Sequence, residues 1–138
     1  MTTSENPFRF FHLHVLRTEQ IGPGFVRVTF GGEDLKAFVS DGRDQRLKLF
    51  FPQPGQDEPV VPVEAGDDWF AAWMAIDAGE RGIMRTYTAR DARRDPDELD
   101  IDFAMHGDTG PASRWAANAV PGARLVAIGP QRTDNGGA

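Results

Sequence analysis

Six short runs of alternating apolar and polar residues, each closed by glycine, proline or a polar turn, restrict this chain more than any other feature. Phe10 to Leu16 places Phe11, Leu13 and Val15 on one side and Phe10, His12, His14 and Leu16 on the other, the period of a half-buried strand. Ile21-Gly22-Pro23-Gly24 turns the chain, and Phe25 to Phe30 returns as an antiparallel partner rich in β-formers. Arg46 to Phe51 alternates again and ends at Pro52, so Lys48 sits on a wall rather than at a tip. Met84 to Arg90, Leu99 to Met105 and Arg124 to Ile128 complete the set, with a charged connection over Asp91 to Glu98.

Two stretches depart from the two-residue period. Trp69 to Ala78 spaces Trp69, Phe70, Trp73, Met74 and Ile76 as a helix does and stops at Gly79. Pro111 suits a first helical position, and Trp115, Ala116 and Ala119 then share one side up to Val120, before a type II turn at Pro121-Gly122. Glu33 to Phe38 has room for about two turns, while Ser40 to Asp44 and the proline-rich Gln53 to Asp68 read as loops and Gln131 to Ala138 as a frayed tail. A mainly β chain of six strands with one or two short helices closes as an antiparallel barrel, because closure leaves no exposed edge.

The 138 residues suffice for one core, predicted as a single domain over 1–138 with an ordered part of about 8–130. A net charge of −6 argues against nucleic acid and anionic membranes as partners, and no apolar run approaches the roughly 18 residues of a membrane helix. Met1 to Pro7 has neither the basic nor the apolar part of a secretory leader, so a cytoplasmic location and a monomer are expected. With no cysteine, disulfides, thiolate-held iron–sulfur clusters and CxxC chemistry are excluded, and any electron transfer runs through a bound cofactor.

Arg85-Thr86-Tyr87-Thr88-Ala89-Arg90 lies on the fourth strand, and His106-Gly107-Asp108-Thr109-Gly110-Pro111-Ala112-Ser113 follows the fifth. The first offers a guanidinium fork for phosphate oxygens, a flat ring for stacking and hydroxyls for a ring nitrogen. The second opens a helix behind glycines, where backbone N–H groups and the helix dipole favour phosphate, and Ser113 adds a hydroxyl. Together they read as a flavin site; singly, each also reads as ordinary strand chemistry or a capped helix. His106 belongs either beside the ring or in simple packing. Arg93 and Arg94, with Arg85, Arg90 and Arg114, form either a basic patch or solvated surface. His12 and His14 make a metal-type pair without a third ligand in register. Trp69 and Trp73 are expected to pack a helix on the barrel, and Trp115 to anchor the last helix or border an adenine.

Val26 to Phe30, Asp34-Leu35, Lys48 to Pro52, Met84 to Arg90, Leu99 to Gly107, Gly110 to Ala116 and Gly129-Pro130 together resemble the siderophore-interacting proteins, FAD-dependent ferric-siderophore reductases of the ferredoxin-reductase-like class. The resemblance implies a six-stranded Greek-key barrel binding FAD. Arg85 would meet the pyrophosphate, Tyr87 the isoalloxazine and Thr88 its reactive edge. Thr86, His106 and Gly107 would line the cofactor, Gly110, Pro111, Ala112 and Ser113 would cradle phosphate, and Lys48 would attract the ferric siderophore. In that family the flavin is the reactive group, no protein side chain is catalytic, and an α/β domain binding NAD(P)H follows. This sequence stops just after Gly129-Pro130, so NAD(P)H is expected to act through a separate domain or partner. The alternative is a non-catalytic flavin- or siderophore-binding module.

Overall fold

A computed structural model describes residues 8–39, 45–105 and 110–130. Six strands form one closed barrel: β1 (Phe8–Gln20), β2 (Phe25–Gly31), β3 (Gln45–Phe51), β4 (Ile83–Arg93), β5 (Glu98–Ala104) and β6 (Arg124–Pro130). Their order around the wall is β1-β2-β5-β4-β3-β6, every pair antiparallel. β3, β4 and β5 are antiparallel neighbours in sequence order, β3 and β4 joined by the excursion that carries a helix, and β6 returns beside β3, the Greek key that the resemblance implies.

Alternation along the strands builds the core. Phe11, Leu13 and Val15 of β1 meet Val28 and Phe30 of β2, Leu47, Leu49 and Phe51 of β3, Leu99, Ile101 and Phe103 of β5, and Leu125 and Ala127 of β6. One end is filled by α2 (Pro111–Ala117), which buries Ala112 and Ala116. Trp115 stacks on Phe30 with centroids 6.0 Å apart and meets Phe51 edge-on at 5.5 Å, so it anchors the helix as expected.

Outside the wall, α1 (Trp69–Ala75) lays Trp69 and Trp73 over Phe10, Phe50, Val126 and Ile128. That second cluster explains why Phe50 and Phe51 are both buried although neighbours in a strand face opposite ways. The Trp73 indole donates to the Gly82 carbonyl at 2.9 Å, and the Arg81 guanidinium lies 4.2 Å from the Trp73 ring while donating to the Met74 and Ile76 carbonyls. The excursion is thereby tied to the start of β4.

Several boundaries differ from the sequence expectation, β1 most, since it runs Phe8–Gln20 rather than Phe10 to Leu16. α1 stops at Ala75 rather than Ala78, because Ile76 turns extended and Asp77 caps the following turn through the Gly79 N–H at 3.0 Å. α2 ends at Ala117, and Val120 belongs to the expected turn, in which the Ala123 N–H reaches the Val120 carbonyl and Gly122 has φ 93°. β4 runs on to Arg93, since the charged residues of its second half pair across to β5. The loop from Ser40 to Asp44 and the tail from Gln131 lie outside the described residues.

Gly32 has a backbone requirement. Its φ is 145°, and a Cβ there would stand 2.5 Å from the His12 carbonyl oxygen. It leads β2 into the 3₁₀ turn Glu33–Ala37, where Asp34 accepts the His12 N–H at 2.8 Å and pairs with Arg9 at 3.1 Å.

Candidate functional site

The Arg85 to Thr88 segment occupies an opening in the wall. Residues Ile83–Ala89 of β4 pair with β3, but pairing with β5 begins only at Ala89, after which the register shifts. The first half of β4 therefore has a strand partner on one side only, and β5 runs out beside it toward α2. The described part of the second motif, Gly110 to Ser113, opens α2, which is joined to the end of β5. His106 and Gly107 lie between the two described parts, outside the described residues, and nothing places them.

Register divides the motif by face. Arg85 and Tyr87 lie opposite Leu49 and Leu47 in the inward series, whereas Thr86 and Thr88 lie opposite Lys48 and Arg46 on the outer wall. The Tyr87 ring is half-buried, 4.7 Å from Phe103 and 6.4 Å from Phe51. Arg85 is exposed and donates to the adjacent Met84 carbonyl at 2.8 Å. Thr86 is exposed and Thr88 half-buried.

At the start of α2, Gly110 is the N-cap and brings no side chain, Pro111 follows, and Ala112 and Ser113 are buried. The first intrahelical bond runs from the Arg114 N–H to the Gly110 carbonyl, so the Ala112 N–H precedes it. The Ser113 hydroxyl lies 3.1 Å from the Ala104 carbonyl and donates to it, which joins the helix start to the end of β5. That hydrogen bond makes Ser113 part of the joint.

On the outer wall, Lys48 opens on a groove of ≈ 450 Å³ between the β3–β4 ribbon and α1. Arg46 and Thr86 stand beside Lys48, Phe8, Trp69 and Ile128 supply apolar walls, and Asp67 contributes a carboxylate. The sequence placed Arg46 on the face of Lys48 without giving it a role. Trp69 was expected to pack, and it does both: its ring meets Phe10 and Phe50 while lining the groove. Groove lining by residues from Phe8 to Ile128 depends on tertiary placement and leaves no local signal.

The other arginines near the motifs are committed elsewhere. Arg93 joins Asp100 at 2.8 Å, Glu98 at 2.9 Å and Asp91 at 2.8 Å, and is neither a basic patch nor simply solvated. Arg94 donates to the Leu35 and Phe38 carbonyls and pairs with Asp97, while Arg90 lies 3.7 Å from Asp102. Burial alone would push Asp100 up, but hydrogen bonds from Arg93 and Thr29 and the Arg93 charge hold it below the usual carboxylate range. Glu98 is likewise lowered, by hydrogen bonds from Arg17 and then Arg93. Arg46, Lys48, Arg81, Arg85 and Arg114 have no carboxylate partner among the described residues; Arg81 is held by the Met74 and Ile76 carbonyls, and the other four stand on β3, β4 or α2.

His12 and His14 are exposed on β1, in a groove with Asp34 and Glu58. Among the described residues no group of three or more His, Cys, Asp or Glu side chains could hold a metal, and no helix is long and apolar enough to cross a membrane.

A guanidinium without a carboxylate partner among the described residues, at a splayed strand edge, a half-buried tyrosine beside it and a helix that starts at a glycine N-cap fit a ring carried on a diphosphate. The sequence profile described as the siderophore-interacting FAD-binding domain matches residues 14–134. The chain belongs to this family. Its cofactor is FAD. The chain is 45% identical over 127 residues to the NADPH-dependent ferric-chelate reductase of Escherichia coli K12, covering 91% of this chain and 46% of that protein. It is 34% identical over 122 residues to the ferric vibriobactin reductase ViuB of Vibrio cholerae, covering 88% of this chain and 43% of that one. Among solved structures, the siderophore-interacting protein SipS from Aeromonas hydrophila superposes with TM-score 0.70 at 37% identity, over 91% of this chain and 44% of SipS. A siderophore utilization protein from T. fusca gives TM-score 0.72 at 36% identity, over 94% and 48%. The chain thus spans about half the length of these relatives.

Proposed function

We propose that this domain is the flavin-holding half of a ferric-siderophore reductase, with Lys48 and its groove receiving the ferric chelate. The observation that carries the reading is the position of the uncompensated cations: Arg85 at the cofactor edge and Arg46 and Lys48 on the outer wall belong to the same β3–β4 ribbon. Thr86, between Arg85 and Tyr87, is itself part of the groove lining, so the two sites share one strand segment. The sequence similarity to ferric-chelate and ferric vibriobactin reductases supports the same reading.

FAD, when bound, would supply two electrons taken as hydride from NAD(P)H, one to each of two Fe(III) centres, giving NAD(P)+, two Fe(II) and one proton released to solvent. The side chains of this chain bind and orient. Arg85 would offer its guanidinium to the diphosphate, Tyr87 its ring to the isoalloxazine, Thr88 its hydroxyl to the ring edge, and Gly110, Pro111 and Ala112 a close backbone approach for phosphate, with Thr86 between the cofactor and the groove. Ser113 would hold that backbone against β5. No side chain need act as nucleophile or general base. Lys48 and Arg46 would favour an anionic complex, and Fe(II) would then leave because hard oxygen ligands hold it less tightly than Fe(III). NAD(P)H would be bound by residues outside this sequence. A cytoplasmic setting goes with that electron source.

The test is reconstitution with FAD, followed by gel filtration and the 450 nm absorbance of the protein fraction. Wild type is expected to retain flavin and Arg85→Ala to bind it roughly 10–100-fold more weakly, the scale of a lost charge-assisted hydrogen bond. Chemically reduced flavoprotein should then convert a ferric chelate to Fe(II), trapped by a ferrous-specific chromophore. Flavin retention without iron reduction would make the domain a binding module.

A further inference from the structure

We propose that Asp102 is a positioning residue for the flavin site: it holds Arg90, an extra residue in β4 that turns Arg85 and Tyr87 to the inner face of the ribbon. The proposal rests on the assignment of Arg85 and Tyr87 to FAD above and adds what sets their direction. Side chains alternate along a strand, so the odd-numbered residues of β4 would all share one face if the strand were regular. Arg85 and Tyr87 lie in the inward series opposite Leu49 and Leu47, and Ala89 is buried in the core opposite Ile101. Asp91 and Arg93, however, stand opposite Asp100 and Glu98 on the outer wall, and Ala92 takes the inward place opposite Leu99. β4 advances two residues, from Ala89 to Asp91, where β5 advances one, from Ile101 to Asp100, so Arg90 is the bulged residue. With the pairing to β5 kept and Arg90 removed, Arg85 and Tyr87 would face outward and Thr86 and Thr88 inward, because a slip of one residue moves every side chain to the other face.

Asp102 anchors this bulge. It lies opposite Arg27 of β2 and accepts from that guanidinium at 2.8 and 3.1 Å, while the Arg90 Nε stands 3.7 Å from the same carboxylate. One side chain thereby ties β2, β5 and the bulge of β4 together. Its place along β5 is also the point of parting. Ile101 is the last residue of β5 paired with β4, and Phe103, next after Asp102, turns inward and packs its ring 4.7 Å from that of Tyr87. Ala89 is paired on both sides, to Gln45 of β3 and Ile101 of β5, so β4 changes partner where the bulge begins. A bulge bends its strand and re-aims the side chains beyond it. Holding Arg90 against Asp102 fixes the direction in which the Arg85–Thr88 segment leaves β5. Asp102 alternates with the core residues Ile101 and Phe103 and so faces the outer wall, acting through Arg90 and not by touching the cofactor.

The test measures the FAD dissociation constant and the visible-region circular dichroism of bound flavin, a signature of how the ring is held, in the full chain and its variants. Asp102→Asn should weaken FAD by about three- to tenfold and alter the dichroism of the flavin that still binds. Asp102→Glu keeps the charge and should recover most of both. Arg90→Gln keeps the extra residue but loses its ion pair, and should reproduce part of the Asp102→Asn effect. The double variant should bind FAD about as weakly as Asp102→Asn alone, as expected of two residues acting along one path. Arg17→Gln breaks an ion pair of the same wall that does not involve the bulge, and should leave affinity and dichroism as in wild type. Because Arg90→Gln leaves the Arg27–Asp102 pair in place, it carries the test if Asp102→Asn does not fold. Wild-type affinity and dichroism in both Asp102→Asn and Arg90→Gln, additive losses in the double variant, or an equal loss in Arg17→Gln would overturn the positioning role and leave the flavin assignment intact. Flavin binding untouched by Arg85→Ala would overturn that assignment and the proposal with it.

Discussion

At the scale of single residues, the carboxylates of β5 show how the barrel wall is charged. Thr29 donates to Asp100 at 2.7 Å, Arg27 grips Asp102 at 2.8 Å, and Arg17 and Arg93 converge on Glu98. Asp100 is buried, so its charge depends on Arg93. Both Asp100 and Glu98 sit below the ordinary carboxylate range, and such groups add stability above their unfolded-state pKa that is lost as pH falls through the folded one. Unfolding free energy should therefore stay level from about pH 7 to pH 5 and decline below about pH 4. Arg93→Met leaves Asp100 buried without its main partner and should cost ~2–3 kcal/mol at neutral pH, the lower part of the range for a broken buried pair because Arg93 is partly exposed. The deficit should shrink toward pH 3 as the carboxylates protonate. Urea melts of both proteins at pH 7 and pH 3 measure it, and an equal deficit at both would refute the assignment.

At the scale of elements, the joints matter more than the strands. The 3₁₀ turn after β2 closes against β1 through Gly32, whose φ and contact with the His12 carbonyl leave no room for a side chain. Gly32→Ala should destabilise by about 1–3 kcal/mol, through backbone strain and a clash with an atom that cannot rotate away. Gly22→Ala removes a positive-φ glycine with nothing within 4 Å and should cost less. Comparing their thermal midpoints separates the clash from conformational strain alone. Strands, turns and helix existence were legible at this scale, since Gly22-Pro23-Gly24 and Pro121-Gly122 carry their turn chemistry locally. The end of α1 was not, because Arg81 satisfies its last carbonyls from beyond the helix.

At the scale of the whole molecule, one barrel carries Arg85 and Tyr87, proposed to meet the cofactor, and the Lys48 groove on the two faces of a single ribbon. If FAD binds the folded barrel and not the unfolded chain, flavin at about 100 times its dissociation constant should stabilise the domain by about 2.7 kcal/mol. A thermal midpoint that rises with FAD concentration, and rises less in Arg85→Ala, would bear this out; an unchanged midpoint for both would mean that the barrel does not bind the flavin by itself.

The sequence by itself determined the six strands, which residues share a face in them and the residues of the two motifs, because alternation and glycine or proline punctuation are properties of neighbours along the chain. It also located Lys48 on a wall, and left Trp115 either to anchor the last helix or to border an adenine. Only the tertiary structure decided that β4 parts from β5 at Ala89, that Arg93 and Arg94 serve the wall and not a ligand, and that Arg46, Trp69 and Phe8 meet in one groove. Those outcomes join residues far apart in sequence, such as Arg27 with Asp102 and Phe8 with Ile128, and a local pattern carries no information about which distant partner closure of the barrel will bring beside it.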